Sequence, residues 1–179
     1  MPKVSLNIGC GLNKLEGFIN IDCDEKLEPD LVLDITKGLP YPDDTVERIY
    51  MAHTIEHINE GRHGYVLEEV WRVLEPGGTF FISYPEFKVL ARYYLDNYHG
   101  QRDFWKKAIF GRQLTPSDTH VALMDTDYFT DFLIEIGFHD IKIGVEPDQE
   151  FNTIIKCIKG EKPTYYEEVV QKEIYGDKG

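Results

Sequence analysis

Short apolar runs separated by turn residues dominate the first half of the chain. Their length and their content of β-branched and aromatic residues predict buried strands at residues 4–8, 18–22, 31–34, 46–51 and 79–84. Apolar residues at helical spacing predict helices over residues 65–74, 86–98, 104–110 and 127–136. The alternation predicts an α/β fold: a mostly parallel, Rossmann-like sheet with helices on both faces.

The segment between the first of these helices and the fifth strand contains Pro76-Gly77-Gly78, which predicts the end of that helix. Near the C-terminus, residues 141–145 and 153–158 predict two antiparallel strands joined by a polar bend. With 179 residues, the chain has the length of one domain. We expect this domain to cover residues 1–160.

The remaining residues, 161–179, form a polar tail. Apolar side chains recur in it at helical spacing, at Tyr166, Val169, Val170 and Ile174. The pattern leaves three outcomes open: the tail docks on the domain, joins an oligomer such as a homo-oligomer, or frays.

A glycine turn follows the first predicted strand, and an acid ends the second. The turn is Gly9-Cys10-Gly11 and the acid is Asp22. Glycine allows the backbone to approach a ligand closely, and an acid at the end of the second strand can accept hydrogen bonds from ribose hydroxyls. Because ligands of such sheets bind beyond the carboxyl ends of the strands, the pattern predicts a nucleoside pocket there.

The spacing of this motif excludes the common nucleotide sites. A dinucleotide fingerprint needs a third glycine and an acid about twenty residues on, whereas Asp22 follows Gly9 after a much shorter interval. The residues from Gly9 to Gly17 leave little room for a crossover helix whose N-terminus would bind a pyrophosphate. No Gly-Lys-Ser/Thr follows either. A nucleoside without phosphate fits better.

Five segments in order resemble the class I S-adenosylmethionine-dependent methyltransferases, especially small members with a shortened first helix. They are Leu6-Asn7-Ile8-Gly9-Cys10-Gly11, Asn20-Ile21-Asp22, Leu39-Pro40-Tyr41, His53-Thr54-Ile55-Glu56-His57 and Arg72-Val73-Leu74-Glu75-Pro76-Gly77-Gly78. The resemblance covers roughly residues 4–160. It implies a methyltransferase that uses S-adenosylmethionine as its cofactor.

The resemblance also implies which residues bind the cofactor. The methionine part would lie against Asn7, Gly9, Cys10, Gly11, Ala52 and His53, and the adenosine part against Asp22, Cys23, Asp34 and Ile35. In this assignment Asp22 holds the ribose hydroxyls and Asp34 meets the adenine amino group. Asn7 occupies a position where the family often has an acid, which would weaken the contact with the cofactor's ammonium group.

Two histidines are candidates for a general base, which is needed only where the acceptor is protonated. His120 is the first candidate, because it should return to the rim of the sheet, and His53 is the second. His53 to His57 also match the H-x-x-E-H motif of zinc proteases. That motif needs a helix, whereas His53 is expected at the end of a strand, so we predict no metal site.

Residues 86–120 combine six Lys and Arg side chains with several aromatic ones. One interpretation is a lid over the methyl acceptor that favours an anionic or sugar-like small molecule. The other is an amphipathic helix pair whose aromatic side chains are core and whose cations are solvated.

Composition limits the partners and the compartment. The formal net charge of −13 argues against nucleic acid and against an anionic membrane surface. Three cysteines without a CxxC spacing suit a reducing compartment, and no secretory or membrane-spanning run is evident. We therefore expect a cytoplasmic methyltransferase with a small-molecule acceptor. Two alternatives remain open: a non-catalytic S-adenosylmethionine-binding sensor or partner subunit, and an aminopropyl transferase-like enzyme.

Overall fold

The computed structural model describes residues 3–97, 102–147 and 149–162. Its seven strands lie in one sheet in the order β3-β2-β1-β4-β5-β7-β6. They are β1 (Val4–Ile8), β2 (Ile19–Asp22), β3 (Leu31–Val32), β4 (Val46–Ala52), β5 (Leu74–Pro85), β6 (Phe138–Glu146) and β7 (Gln149–Lys159). Strands β1 to β5 pair in parallel, and β7 pairs antiparallel with both β5 and β6. The predicted mostly parallel sheet with an antiparallel C-terminal hairpin is confirmed.

The described α-helices all follow β4. They are α1 (His63–Val73), α2 (Phe87–Asn97), α3 (Arg102–Phe110) and α4 (Thr126–Ile136). The sequence sets both ends of α4. The Asp125 side chain accepts hydrogen bonds from the N–H groups of Asp127 and Tyr128, and Gly137 ends the helix with a φ of 113°.

The connections between β1 and β4 contain no α-helix. Residues 9–18 form turns only, which confirms that the first crossover is too short for a helix. The next two connections each contain one 3₁₀ turn, Glu25–Leu27 and Ile35–Lys37. The side chains of Asp24 and Asp34 cap these turns, each by accepting from the N–H two residues on.

Several predicted boundaries differ from the observed ones, among them the starts of β6 and β7, and two of the differences have a clear physical reason. Strand β3 ends at Val32 rather than at residue 34, because Asp34 caps the following turn instead of extending the strand. The Pro-Gly-Gly segment does not end the helix, which stops at Val73, but lies inside β5. The pairing of β5 with β4 shifts there from Val46–Leu74 to Arg48–Thr79, so residues 75–78 form a bulge in β5.

The main core lies between the sheet and helices α1 and α4. Alternate residues of β5, Phe80, Ile82 and Tyr84, are fully buried, and the Tyr84 ring meets the Phe129 ring of α4 edge-on at 5.2 Å between centroids. This packing holds β4 and β5 side by side, so that their carboxyl ends present adjacent loops.

The tail residues Tyr166, Val169, Val170 and Ile174 lie outside the described part of the chain. In the part that is described, no helix has the length and apolar character needed to cross a bilayer.

Candidate functional site

A cavity of about 660 Å³ opens beyond the carboxyl ends of β1, β2 and β4. Several residues predicted from the sequence line it: Gly9, Gly11, Asp22, Cys23, Asp34, Ile35 and His53. Four others, Asn7, Cys10, Ala52 and His120, do not line this cavity. The sequence motifs therefore converge on one site, although not every residue in them reaches it.

The Asp22 carboxylate is fixed beneath the glycine turn. The Gly11 N–H donates to Asp22 Oδ2 at 2.9 Å, and the Asp24 N–H donates to Oδ1 at 3.0 Å. An ionised carboxylate has about four lone-pair sites, so each oxygen can accept a further hydrogen bond. The side chain is thus preorganised toward the cavity and retains acceptor capacity for hydroxyl groups.

The glycine turn is closely packed against the end of β4. Gly9 has a φ of 66°, and a β-carbon built on it would lie 2.0 Å from Thr54 Oγ1. That hydroxyl donates to the carbonyl of Ile8 at 3.2 Å or to that of Ala52 at 3.0 Å. Only glycine fits at position 9, both for its backbone conformation and for its surroundings.

Asn7 supports the turn from below. Its side chain is buried, and its Nδ2 donates to the Asn13 carbonyl and to Asn20 Oδ1, both at 2.9 Å. Asn20 in turn accepts from the Leu15 N–H at 2.8 Å. The two asparagines therefore replace a crossover helix as the support for residues 9–17.

The second acid, Asp34, lies on the other side of the cavity. The Thr36 hydroxyl donates to its Oδ1 at 2.7 Å and the Thr36 N–H at 3.1 Å. Together with Lys37, whose Nζ lies 3.3 Å away, these hydrogen bonds lower the pKa of Asp34, with the Thr36 hydroxyl as the largest cause. The neighbouring Ile35 is buried and presents an apolar edge to the cavity.

His53 follows β4 in a left-handed conformation, with a φ of 50°. Its Nε2 lies 3.0 Å from Glu146 Oε1 and its Nδ1 lies 3.4 Å from Glu56 Oε1. Desolvation, the largest single effect, lowers the pKa of His53, but the two carboxylates together raise it above its ordinary value. The imidazole is held in place by carboxylates on both of its nitrogens.

His120 lies beside the cavity rather than in its wall. Its ring meets the ring of His57, which does line the cavity, edge-on at 4.8 Å between centroids. Burial lowers the pKa of His120. The prediction that His120 returns to the rim is close to the observed position, but Glu56 and His57 were not predicted to adjoin it.

The segment 86–120 contributes to the cavity wall through residues 112–118. The Arg112 guanidinium pairs with Asp118 Oδ1 at 2.9 Å. Trp105 of α3 is 4% exposed and contacts Tyr93 and Tyr94 of α2. The described aromatic residues thus form a small core between α2 and α3, as in the second interpretation, whereas the loop after α3, which belongs to the segment considered as a lid, lines the cavity.

Comparison with known proteins identifies the fold and finds one matching family model. Residues 16–82 match the family model of a methyltransferase domain. A solved S-adenosylmethionine-dependent methyltransferase from Archaeoglobus fulgidus has 16% identity and a TM-score of 0.65, with coverage of 88% of this chain and 86% of the other. The chain has the fold of S-adenosylmethionine-dependent methyltransferases, and residues 16–82 are similar to a methyltransferase domain. The predicted fold is confirmed, and the match supports the predicted family, enzyme class and cofactor.

Two other solved structures are similar to this chain. One, from Thermotoga maritima, is described as a possible histamine N-methyltransferase; it has 17% identity and a TM-score of 0.63, with coverage of 89% of this chain and 83% of the other. The second is phosphoethanolamine N-methyltransferase 2 of Haemonchus contortus in complex with S-adenosylmethionine. It has 12% identity and a TM-score of 0.58, with coverage of 90% of this chain and 49% of the other. A comparison with curated protein sequences gives no significant match.

Proposed function

We propose that the chain is a methyltransferase that transfers the methyl group of S-adenosylmethionine to a small-molecule acceptor bound in the same cavity. The observation that carries the proposal is the Asp22 carboxylate, oriented by the Gly11 and Asp24 N–H groups with acceptor sites left over. The catalytic domain would be residues 1–160, with residues 161–179 as an appended tail.

In this proposal the cofactor spans the rim of the sheet. Its ribose hydroxyls donate to Asp22, its adenine lies between Cys23 and Ile35 with Asp34 near the amino group, and its methionine part follows the glycine turn. The lining of the cavity by these residues supports this arrangement. The contacts of Asn7 with Asn13 and Asn20 favour a supporting role for that side chain rather than a contact with the cofactor.

The acceptor would be a small molecule, because a cavity of about 660 Å³ lies in the size range of small-molecule sites, about 300–1,000 Å³. Arg62 and Arg112 are among its lining residues, and guanidinium groups recognise carboxylates and phosphates. An anionic or sugar-like acceptor fits this wall. Two structural neighbours bear the names of enzymes that methylate small amines, which supports the small-molecule class but leaves the accepting atom open.

The bound cofactor supplies a methyl group already activated by a positively charged sulfur. The residues of the chain would therefore act mainly by alignment: a lone pair of the acceptor must face the methyl carbon in line with the carbon–sulfur bond. Where the acceptor carries a proton, the imidazoles of His53 and His120 are the candidate bases. His53 lines the cavity directly, whereas His120 borders it through His57.

The binding half of the proposal is tested by calorimetric titration of Asp22→Asn with S-adenosylmethionine. We expect affinity to fall roughly 10- to 100-fold, because hydrogen bonds to a charged group contribute about 1.5–3 kcal/mol. Asp131→Asn changes an exposed acid on α4 and should bind like the parent chain. Equal affinity for both variants would show that Asp22 does not hold the ribose.

The catalytic half is tested by incubating the chain with S-adenosylmethionine and fractionated small metabolites. We expect S-adenosylhomocysteine and one metabolite heavier by a methyl group, detected by mass spectrometry. Tight binding without turnover in every fraction would favour the non-catalytic sensor or partner subunit. Tighter binding of decarboxylated S-adenosylmethionine than of the parent compound would favour an aminopropyl transferase-like enzyme.

A further inference from the structure

A buried carboxylate next to the cavity has no hydrogen-bonding partner. Glu56 is 1% exposed, and neither of its carboxylate oxygens accepts a hydrogen bond within the described residues. The nearest cationic group is His53, whose Nδ1 lies 3.4 Å from Oε1 and whose other nitrogen faces Glu146. Burying a carboxylate costs several kcal/mol unless it is well paired and hydrogen-bonded. The 3.4 Å contact with His53, which Glu146 shares, compensates this carboxylate only in part, so its oxygens remain able to bind a cation.

Two imidazoles complete a compact donor set around this carboxylate. One ligand atom each from Glu56, His57 and His120 lies within 4.8 Å of the other two. Metal–ligand bonds of about 2.0–2.2 Å place ligand atoms roughly 3.3–3.6 Å apart in a tetrahedral site. Small side-chain rotations of the half-buried histidines would therefore bring the three atoms onto one ion.

The tautomer of His57 suits coordination. Its Nδ1 lies 3.1 Å from the carbonyl oxygen of Thr119, and since a carbonyl can only accept, Nδ1 carries the proton in this hydrogen bond. The Nε2 lone pair is then available to a metal, while the Nδ1–H contact orients the ring, as in most protein metal sites.

The backbone holds the two parts of the set together. The main-chain carbonyl of Glu56 accepts from the N–H groups of Val121 and Ala122, at 2.9 and 3.2 Å. These bonds fasten the residues after His120 to the 3₁₀ turn that contains Glu56 and His57. The convergence is thus built into the fold and does not rest on side-chain placement alone.

We propose that Glu56, His57 and His120 bind a divalent transition-metal ion at the edge of the methyl-donor cavity. Two imidazole nitrogens and one carboxylate oxygen suit zinc, cobalt, manganese or iron better than magnesium or calcium, which prefer oxygen ligands. The site differs from the zinc-protease form of H-x-x-E-H considered for the sequence, because His53 faces Glu146 and the second histidine ligand comes from a distant segment.

Three protein ligands leave coordination positions open. We assign the open coordination positions to an oxygen of the acceptor, an assignment that rests on the proposed function. It is supported by His57, which belongs to both the donor set and the cavity wall. The acceptor class would then be one that carries a hydroxyl or carboxylate oxygen able to bind the metal.

The test titrates the chelator-treated full chain with Co²⁺ and with Zn²⁺, by absorption spectroscopy and calorimetry respectively. We expect one ion per chain and visible Co²⁺ bands, and His120→Ala and Glu56→Gln should each weaken Zn²⁺ binding roughly tenfold or more. His139→Ala removes an exposed histidine of β6 and serves as the control that binds normally. His120→Ala provides a second variant should Glu56→Gln fail to fold.

Three results would overturn the metal site: no binding at one ion per chain, no visible Co²⁺ bands, or equal Zn²⁺ affinity in His120→Ala and the parent. Titration of chelator-treated His120→Ala with S-adenosylmethionine separates this proposal from the previous one. Because His120 does not line the cofactor cavity, this variant should retain cofactor binding. Loss of cofactor binding together with unchanged Zn²⁺ affinity would mean that the histidine supports the fold and is not a metal ligand.

Discussion

Replacing Gly9 with alanine should destabilise the chain more than replacing Gly11. Both glycines have a positive φ, 66° and 52°. The added β-carbon at position 9 would overlap Thr54, with Oγ1 at 2.0 Å, whereas at position 11 it would meet nothing within 4 Å. The pair therefore separates the effect of backbone strain from that of steric overlap.

The magnitudes follow from these two terms. A left-handed conformation costs a non-glycine residue about 1–2 kcal/mol, and this applies to both variants. Overlap in a well-packed site adds about 1–3 kcal/mol, and this applies only to Gly9→Ala. The smaller entropy of the unfolded alanine chain is common to both and cancels in their difference. We therefore expect the free energy of unfolding of Gly9→Ala to lie about 1–3 kcal/mol below that of Gly11→Ala.

Urea unfolding followed by circular dichroism measures this difference from the two transition midpoints, provided that the slopes agree. Thr54→Ala, made alone and in the Gly9→Ala background, completes a double-mutant cycle that measures the interaction between positions 9 and 54. It removes the two nearest contacts but leaves the Thr54 β-carbon at 2.9 Å, so part of the penalty of Gly9→Ala should disappear in the double variant. Equal stability of the two glycine variants, or full additivity in the cycle, would refute the overlap argument.

Further predictions concern charge, burial and access. Hydrogen bonds from Arg72 and from the Leu39 N–H lower the pKa of Glu69. Its contribution to stability is therefore fully present above about pH 4.5 and is lost as the pH falls through the lower folded pKa. Glu69→Gln should cost about 1–2 kcal/mol in urea unfolding at pH 7, and a difference that does not shrink as the pH is lowered would contradict this reasoning. Lys159 is buried, and its Nζ donates to Asp44 Oδ1 at 2.6 Å and to the Leu74 carbonyl at 2.7 Å. Lys159→Met should lower the unfolding free energy by about 2–3 kcal/mol, and a loss below 1 kcal/mol would show that these contacts contribute little. Cys23 is exposed and lines the cavity, so S-adenosylmethionine should slow its alkylation, as measured by peptide mass spectrometry. Burial raises the pKa of Cys157 to about 12, and this thiol should stay unmodified in the folded chain with or without the cofactor.

Local sequence predicted most of the sheet. Strands β1, β2 and β4 were predicted within one residue of their observed bounds, because a run of buried apolar residues is itself the signal for a buried strand. The start of β5 was not predictable in this way. Pro76, Gly77 and Gly78 disfavour a strand locally, and only the pairing of Leu74 with Val46 across the bulge extends β5 over them. Such pairing depends on residues distant along the chain.

The same contrast between local and distant residues applies to the candidate site. The glycine turn and Asp22 are close in sequence and were predicted to lie together, as observed. The approach of His120 to Glu56 depends on main-chain hydrogen bonds between segments far apart in the sequence. Its histidines were noted individually, but periodicity and motif spacing carry no information about such a convergence.

The shortened first crossover explains why the loop after α3 lines the cavity. Between β1 and β2 the chain provides only turns, so no helix covers that side of the nucleoside pocket. Residues 112–118 line the cavity instead. This loop is closed by a backbone bridge between Gly111 and Thr119, where a β-carbon on Gly111 would lie 2.1 Å from the Asp118 carbonyl oxygen.

The same bridge determines where His120 lies. Its N–H donates to the Phe110 carbonyl at 3.1 Å, which directs the chain from the loop toward Glu56. One segment after β5 therefore both lines the cavity and carries a histidine to its edge. Since the glycine turn, Asp22 and their supporting asparagines lie outside this segment, the loop can vary in sequence without altering the residues assigned to the cofactor. Acceptor preference would then reside in residues 112–118, and the shared methyl chemistry in β1, β2 and the turns that follow them.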